Sequence, residues 1–161
     1  MPQALLAPHR CVAVCSGMPI DGLRSPYDKV GPIVYFGRML DKIRAEAKGE
    51  LPPEYQPNLG TGFDGECVEF LQINYDELVE QVKQGGTDDQ ILEWCFVKGR
   101  RPTANDLRIW NEFMQKRGWN DELAERLTFR KAEIGVADRT DIRTMFDFID
   151  ADEGRFPAVN I

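Results

Sequence analysis

Residues 87–119, TDDQILEWCFVKGRRPTANDLRIWNEFMQKRGW, read as two helices joined by a short loop. Thr87 is an N-cap residue, and Gln90 three positions on completes a capping box that satisfies two orphan backbone N–H groups. Asp88 and Asp89 put negative charge at the positive end of the helix dipole. Ile91, Leu92, Cys95 and Phe96 recur at helical spacing. Lys98 sits in the last turn, and Gly99 is expected to stop the helix in the left-handed conformation. Pro102 cannot continue a helix, and Thr103 can cap a new one. Leu107, Trp110, Phe113 and Met114 mark its buried stripe, which ends at Lys116, Arg117 and Gly118. The connection 99–102 is short enough to predict that the two helices pack as neighbours.

Charge sets this segment apart. Residues 98–117 carry Lys98, Arg100, Arg101, Arg108, Lys116 and Arg117 against Asp106 and Glu112, a local net charge of +4 in a chain of −7. Such a patch is an anion site or the partner of an acidic segment elsewhere. Basic residues at two helix C-termini also complement two dipoles, which is the plainer account.

On the N-terminal side, Ile33, Phe36, Leu40, Ile43 and Ala47 predict an amphipathic helix from about Pro32 to Gly49. Residues 50–64 form a proline-rich loop, a kind of segment that is often functional. Gly60 to Gly65 matches GxGxxG letter for letter. That pattern signifies a dinucleotide only behind a strand and within a βαβ unit, which a proline-rich stretch does not supply, and Asp64 would repel a phosphate. A tight turn with Asp64 capping a helix from Gly65 is the preferred reading. Residues 65–73 suit a helix or a strand, and no partner strand is in view, so a helix is expected. Asn74 then caps 75–84, with Glu77 at the capping-box position and Gly85-Gly86 as the stop.

On the C-terminal side, Asn120 is expected to cap a helix with Leu123, Leu127 and Ile134 on one face. Asp138 or Thr140 is expected to open the last helix, with Ile142, Met145, Phe146 and Ile149 inward. The sum is an all-α, single-domain bundle of about six or seven short helices. Residues 1–17 read as a disordered extension ahead of a natural start at Met18. Residues 18–155 form the domain and 156–161 a frayed tail. A signal peptide is the rival reading of the first residues, disfavoured because His9 and Arg10 interrupt a short apolar core.

Composition narrows the chemistry. No apolar run approaches the roughly 20 residues of a membrane span. The acidic balance argues against broad nucleic-acid binding. The four cysteines, Cys11, Cys15, Cys67 and Cys95, form no CxxC pair, so reduced thiols in a cytoplasmic protein are expected. His9, the single histidine, lies in the extension, which leaves the domain without one for a triad, a metal site or general-base work.

The segments LRSPYDKV (23–30), YFGRMLDKIR (35–44), NLGTGFDG (58–65), EWCF (93–96), GRRPT (99–103), WNEFMQKRGWND (110–121) and FDFIDADEGR (146–155) resemble the bacterial domain-of-unknown-function family 5069. The resemblance runs from about residue 18 to 155. It implies no activity, and it supports Met18 as the usual start.

The expected function is a binding or interaction module that recognises an anionic group through Arg100, Arg101, Arg117 and Trp119. Arginine forks match carboxylate or phosphate, and Trp119 lies just past a helix stop, outside the buried stripe. The partner would be a small anionic ligand or a protein. A homo-oligomer is natural if an apolar helix face is exposed, and neither membrane nor nucleic acid is expected. No cofactor is assigned. The alternative is an enzyme acting on a phosphorylated or carboxylated metabolite, with Asp64 or Asp150 as general base and arginines as electrophiles. It requires a concave pocket where a carboxylate and an arginine converge. A third reading is helix-turn-helix DNA binding through 88–117, disfavoured by the apolar second helix and the acidic chain. No metal is assigned. Asp147, Asp150, Asp152 and Glu153 oppose the dipole at a helix C-terminus and could attract Mg²⁺ or Ca²⁺, but an ion pair with Arg155, Arg143 or the Arg100–Arg101 pair is preferred.

Overall fold

The computed structural model describes residues 22–155. The expectations for residues 1–17, Met18 and 156–161 lie outside the described residues. Within them the chain runs β1 (Lys29–Val30), β2 (Ile33–Val34), α1 (Phe36–Ala47), a 3₁₀ helix (Pro53–Asn58), α2 (Phe63–Leu71), α3 (Tyr75–Lys83), α4 (Asp88–Lys98), α5 (Ala104–Lys116), α6 (Ala124–Glu133) and α7 (Met145–Asp152). The fold is a helical single domain with one small antiparallel hairpin, Lys29 opposite Val34 and Val30 opposite Ile33.

That hairpin replaces the expected start of the first helix near Pro32. Gly31 and Pro32 form a two-residue turn, and Gly31 supplies the positive φ of 53° that the first turn position needs. The β-branched residues beside it pair instead of coiling. Their backbone groups are satisfied from α5, since Asn111 Oδ1 accepts from the Val34 N–H at 3.1 Å and Asn111 Nδ2 donates to the Pro32 carbonyl at 2.8 Å.

Three helices begin with complete capping boxes, Thr87 with Gln90, Thr103 with Asp106, and Thr144 with Asp147. Asn74 caps α3 by accepting from the Glu77 N–H. Two expected starts move. α6 opens after Leu123 because Asn120 is left-handed at φ 53° and the Asp121 carboxylate takes the Gly118 and Leu123 N–H groups. α7 opens at Thr144 and not at Asp138 or Thr140, because Lys131 donates to the Arg139 and Ile142 carbonyls and holds that segment as a bend.

Gly99 is also not left-handed. Its φ is −101°, and it is needed for close approach: a Cβ there would lie 2.0 Å from the Leu71 carbonyl oxygen. The Arg100 N–H donates to that same oxygen at 3.0 Å. This anchor turns the two central helices to different neighbours. α4 rests on α3 and β1, and α5 rests on β2 and α7.

The core has two parts. One gathers Phe36, Met39, Leu40, Leu71, Leu78 and Met114 from α1 to α5; the other gathers Leu127, Ile142, Met145 and Phe148 around α6 and α7. Each such side chain contributes about 1.5–3 kcal/mol on burial. Trp110 is buried and stacks on Phe70 at 4.6 Å, whereas Phe113, expected in the stripe, is 48% exposed. Cys67 and Cys95 are free and buried; burial raises the Cys67 thiol well above its ordinary range and pushes Cys95 up to about 12, so neither is a ready nucleophile. No helix among the described residues is long and apolar enough to cross a membrane.

Candidate functional site

Arg38 and Lys42 are four apart and so share one side of α1, and Tyr35 stands ahead of them as the N-cap where the chain leaves the hairpin. That side faces a cavity of about 620 Å³ where the two cores meet. Phe63, Leu123, Met145 and Ile149 form its apolar wall. Arg38, Lys42 and Tyr35 form a polar wall with Tyr55 and Glu153, and Arg126 and Arg130 line it from α6.

The loop before α2 brings a carboxylate to this wall. Gly60 has φ 72°, and a Cβ there would lie 2.8 Å from the Tyr75 ring. Gly62 has φ 56° and ψ −127°, a conformation open essentially to glycine alone. The turn lets Asp64 enter the first turn of α2 fully buried, where Oδ2 accepts from the Gly60 N–H at 3.1 Å. The expected cap role of Asp64 is thus modified. α2 starts at Phe63 with Gly62 as its N-cap, and the carboxylate faces inward.

Asp64 Oδ1 lies 2.7 Å from Lys42 Nζ and accepts from the Tyr35 hydroxyl at 2.7 Å. Lys42 Nζ also donates to the Tyr35 oxygen at 3.1 Å. The lysine is only 4% exposed. Burial pushes its pKa down, Asp64 pulls back against burial, and the Arg38 charge adds to the lowering; the result lies below the ordinary 10.5. Burial and the Asp64 charge push the Tyr35 hydroxyl well up. Tyr35 itself has φ 71°, a strained backbone for a bulky residue.

A second pair stands beside the first. Arg38 grips Glu153 with both terminal nitrogens, the Tyr55 hydroxyl donates to Glu153 Oε1 at 2.9 Å, and Arg155 pairs with the same carboxylate. Burial pushes Glu153 up, but Arg38 and Tyr55 outweigh it and hold the carboxyl below its ordinary 4.5. A carboxylate depressed in the folded state adds stability that is complete above the ordinary value and is lost as pH falls through the folded one. Urea midpoints taken from about pH 6 to about pH 3 should therefore fall, and Glu153→Gln should flatten that acid limb. An acid limb of unchanged steepness in the variant would remove Glu153 from its causes.

Two buried ion pairs are weak evidence for stability, because desolvation offsets the attraction and apolar residues of similar volume often do as well. Strained backbone and buried charge on one cavity wall fit a functional constraint better than a packing one.

The acidic run disperses around α7. Asp147 lies in the first turn, where it complements the dipole and accepts from the Tyr27 hydroxyl at 2.6 Å. Asp150 accepts from Ser25 at 2.8 Å and pairs with Arg155 at 2.9 Å, so the ion pair expected with Arg155 is present and Asp150 stands apart from the cavity. Asp152 lines the cavity, where burial raises its carboxyl. Among the described residues no group of three or more His, Cys, Asp or Glu is arranged to hold a metal.

The basic segment does not converge as one cluster. Arg100 lies over the Phe70 ring, donates to the Phe70 carbonyl at 2.7 Å and pairs with Asp106 at 3.2 Å. Arg101 pairs with Glu93. Arg117 is buried among Glu66, Asp121 and Glu122, and Trp119 is 60% exposed. Arg100 alone of the four borders a shallow groove of about 400 Å³ along α2 and α5.

A model for the Domain of unknown function (DUF5069) matches residues 20–155. The chain belongs to that family. No curated protein matches it. In this DUF5069 domain, sequence reasoning singled out Asp152 and Glu153 of the cavity wall and Asp64 behind it, but missed Tyr35, Arg38, Lys42 and Arg126. No local signal marked Arg38 and Lys42, since charges flanking the apolar stripe of α1 are what an exposed helix face normally carries.

Proposed function

We propose that the cavity binds a small organic molecule that carries a carboxylate or phosphate. Its size lies within the roughly 300–1,000 Å³ of small-molecule sites, and such sites combine apolar walls with a few placed polar groups. The carrying observation is Arg126: it lines the cavity, it is exposed, and it makes no ion pair among the described residues. Arg38 and Lys42 are already bound to carboxylates, and Arg130 pairs with Glu133 at 3.0 Å. Among the described residues Arg126 is therefore the cation of this cavity whose charge is open to a ligand. Arg100, Arg101 and Arg117 are each bridged to a carboxylate, so an anion arriving there would have to displace one.

The concave pocket with converging arginine and carboxylate is also the arrangement an enzyme on such a metabolite requires. Thermal-shift titration with small carboxylates and phosphate esters is the test. Arg126→Ala should weaken a stabilising ligand about tenfold, roughly 1.4 kcal/mol, with little effect on the unliganded midpoint. A ligand whose affinity survives both Arg126→Ala and Arg130→Ala would place the anion site elsewhere.

A further inference from the structure

The geometry points to Lys42 as an amine that condenses with the carbonyl carbon of a small aldehyde or ketone bearing an anionic group, with Asp64 and Tyr35 moving the protons. This inference rests on the cavity being a small-molecule site. Lys42 is the one buried lysine among the described residues, and its side chain lines the cavity. Here Asp64 is already served twice over, by the Tyr35 hydroxyl on Oδ1 and the Gly60 N–H on Oδ2. Those donors disperse the carboxylate's charge and weaken its hold on the ammonium proton. Burial and the neighbouring Arg38 act in the same direction, so a free amine is reached more readily than at a surface lysine.

Tyr35 supplies the rest of the relay. Its hydroxyl accepts from Lys42 and donates to Asp64, so one oxygen joins the amine to the base. The Lys42 ammonium first gives a proton to Asp64, 2.7 Å away. The neutral amine attacks the carbonyl carbon, and a C–N bond forms as the carbonyl oxygen takes the Tyr35 hydroxyl proton while Tyr35 takes the proton held on Asp64. Nζ of the adduct then gives a second proton to Asp64. Tyr35 relays that proton to the hydroxyl of the adduct, the C–O bond breaks, water leaves, and a protonated imine remains beside the Asp64 carboxylate. Two hydrogens depart from Nζ and two appear in the water, with no oxidant or reductant required. Arg126 would hold the anionic end of the compound, and Phe63 and Leu123 would screen the imine from hydrolysis.

The test uses the whole wild-type chain and two probes, glyoxylate as the anionic aldehyde and propanal as the uncharged one. Each is given with sodium cyanoborohydride near neutral pH, and alkylated lysines are located by peptide mass spectrometry. Lys42 should be modified at least about tenfold faster than exposed Lys83, as expected for an amine with a lowered pKa. Glyoxylate should outpace propanal at Lys42, and Arg126→Ala should remove that advantage. Lys42 reacting no faster than Lys83 with either probe would overturn the inference. An Arg126-dependent thermal shift with malonate, which has no reactive carbonyl, would in that case leave the small-molecule site standing. Fast Lys42 modification by both probes without an anion preference would support the amine chemistry and count against the anion reading.

Discussion

Asp64→Ala should cost about 3–5 kcal/mol of folding free energy, the range expected when one member of a buried ion pair is removed. The loss has three sources. Lys42 keeps its burial without a carboxylate, the Tyr35 hydroxyl loses its acceptor, and the Gly60 N–H loses the oxygen that closes the turn before α2. Urea unfolding followed by far-ultraviolet circular dichroism measures it. The informative comparison is the double variant Lys42→Met with Asp64→Leu, which replaces both charges by apolar bulk. It should recover most of the stability, because a buried pair seldom beats a well-packed apolar replacement. A single variant less than about 1 kcal/mol below wild type would show that Lys42 sheds its charge at no cost, and the ion-pair description would fail.

Gly99→Ala should destabilise by about 3 kcal/mol, at the upper end of ordinary overpacking effects. An added Cβ would lie 2.0 Å from the Leu71 oxygen, 2.7 Å from the Gln72 oxygen and 2.8 Å from Ile73 Cγ2. Two of those are backbone atoms at the end of α2 and cannot rotate away. The α4–α5 connection would have to lift, breaking the Arg100 N–H bond to Leu71 and loosening the Arg100 side chain from Phe70. Gly85→Ala is the control. Gly85 has φ 91° but open space around it, so only the left-handed backbone penalty of about 1–2 kcal/mol applies. Equal losses in the two variants would mean that conformation, not close approach, requires glycine at position 99.

Much of the local architecture is written in neighbouring residues. Thr87 with Gln90 declares a helix start, because a capping box needs only residues three apart and the backbone between them. The same holds for Thr103 and for Asn74, and the apolar spacing of α1 and α5 reports a face that must be covered. Family membership, too, was legible in motifs that run in order along the chain. Where local signals misled, a distant partner had intervened. The hairpin at Val30 and Ile33 depends on Asn111 of α5, and the bend before α7 depends on Lys131 of α6. Gly99 signalled a helix stop, but its purpose lies with a carbonyl nearly thirty positions earlier in the chain.

The pairings in the cavity belong to this second kind of information. Lys42 and Asp64 are separated by a proline-rich loop, and Arg38 and Glu153 sit near opposite ends of the domain. A carboxylate's partner follows from packing, which sequence spacing reports within one helix but not between helices. Charge density drew the eye to residues 98–117, yet those cations meet carboxylates that the fold brings to them. Which cation of the cavity is left without a carboxylate partner is a remainder after the pairings are made, and so it follows from the folded chain.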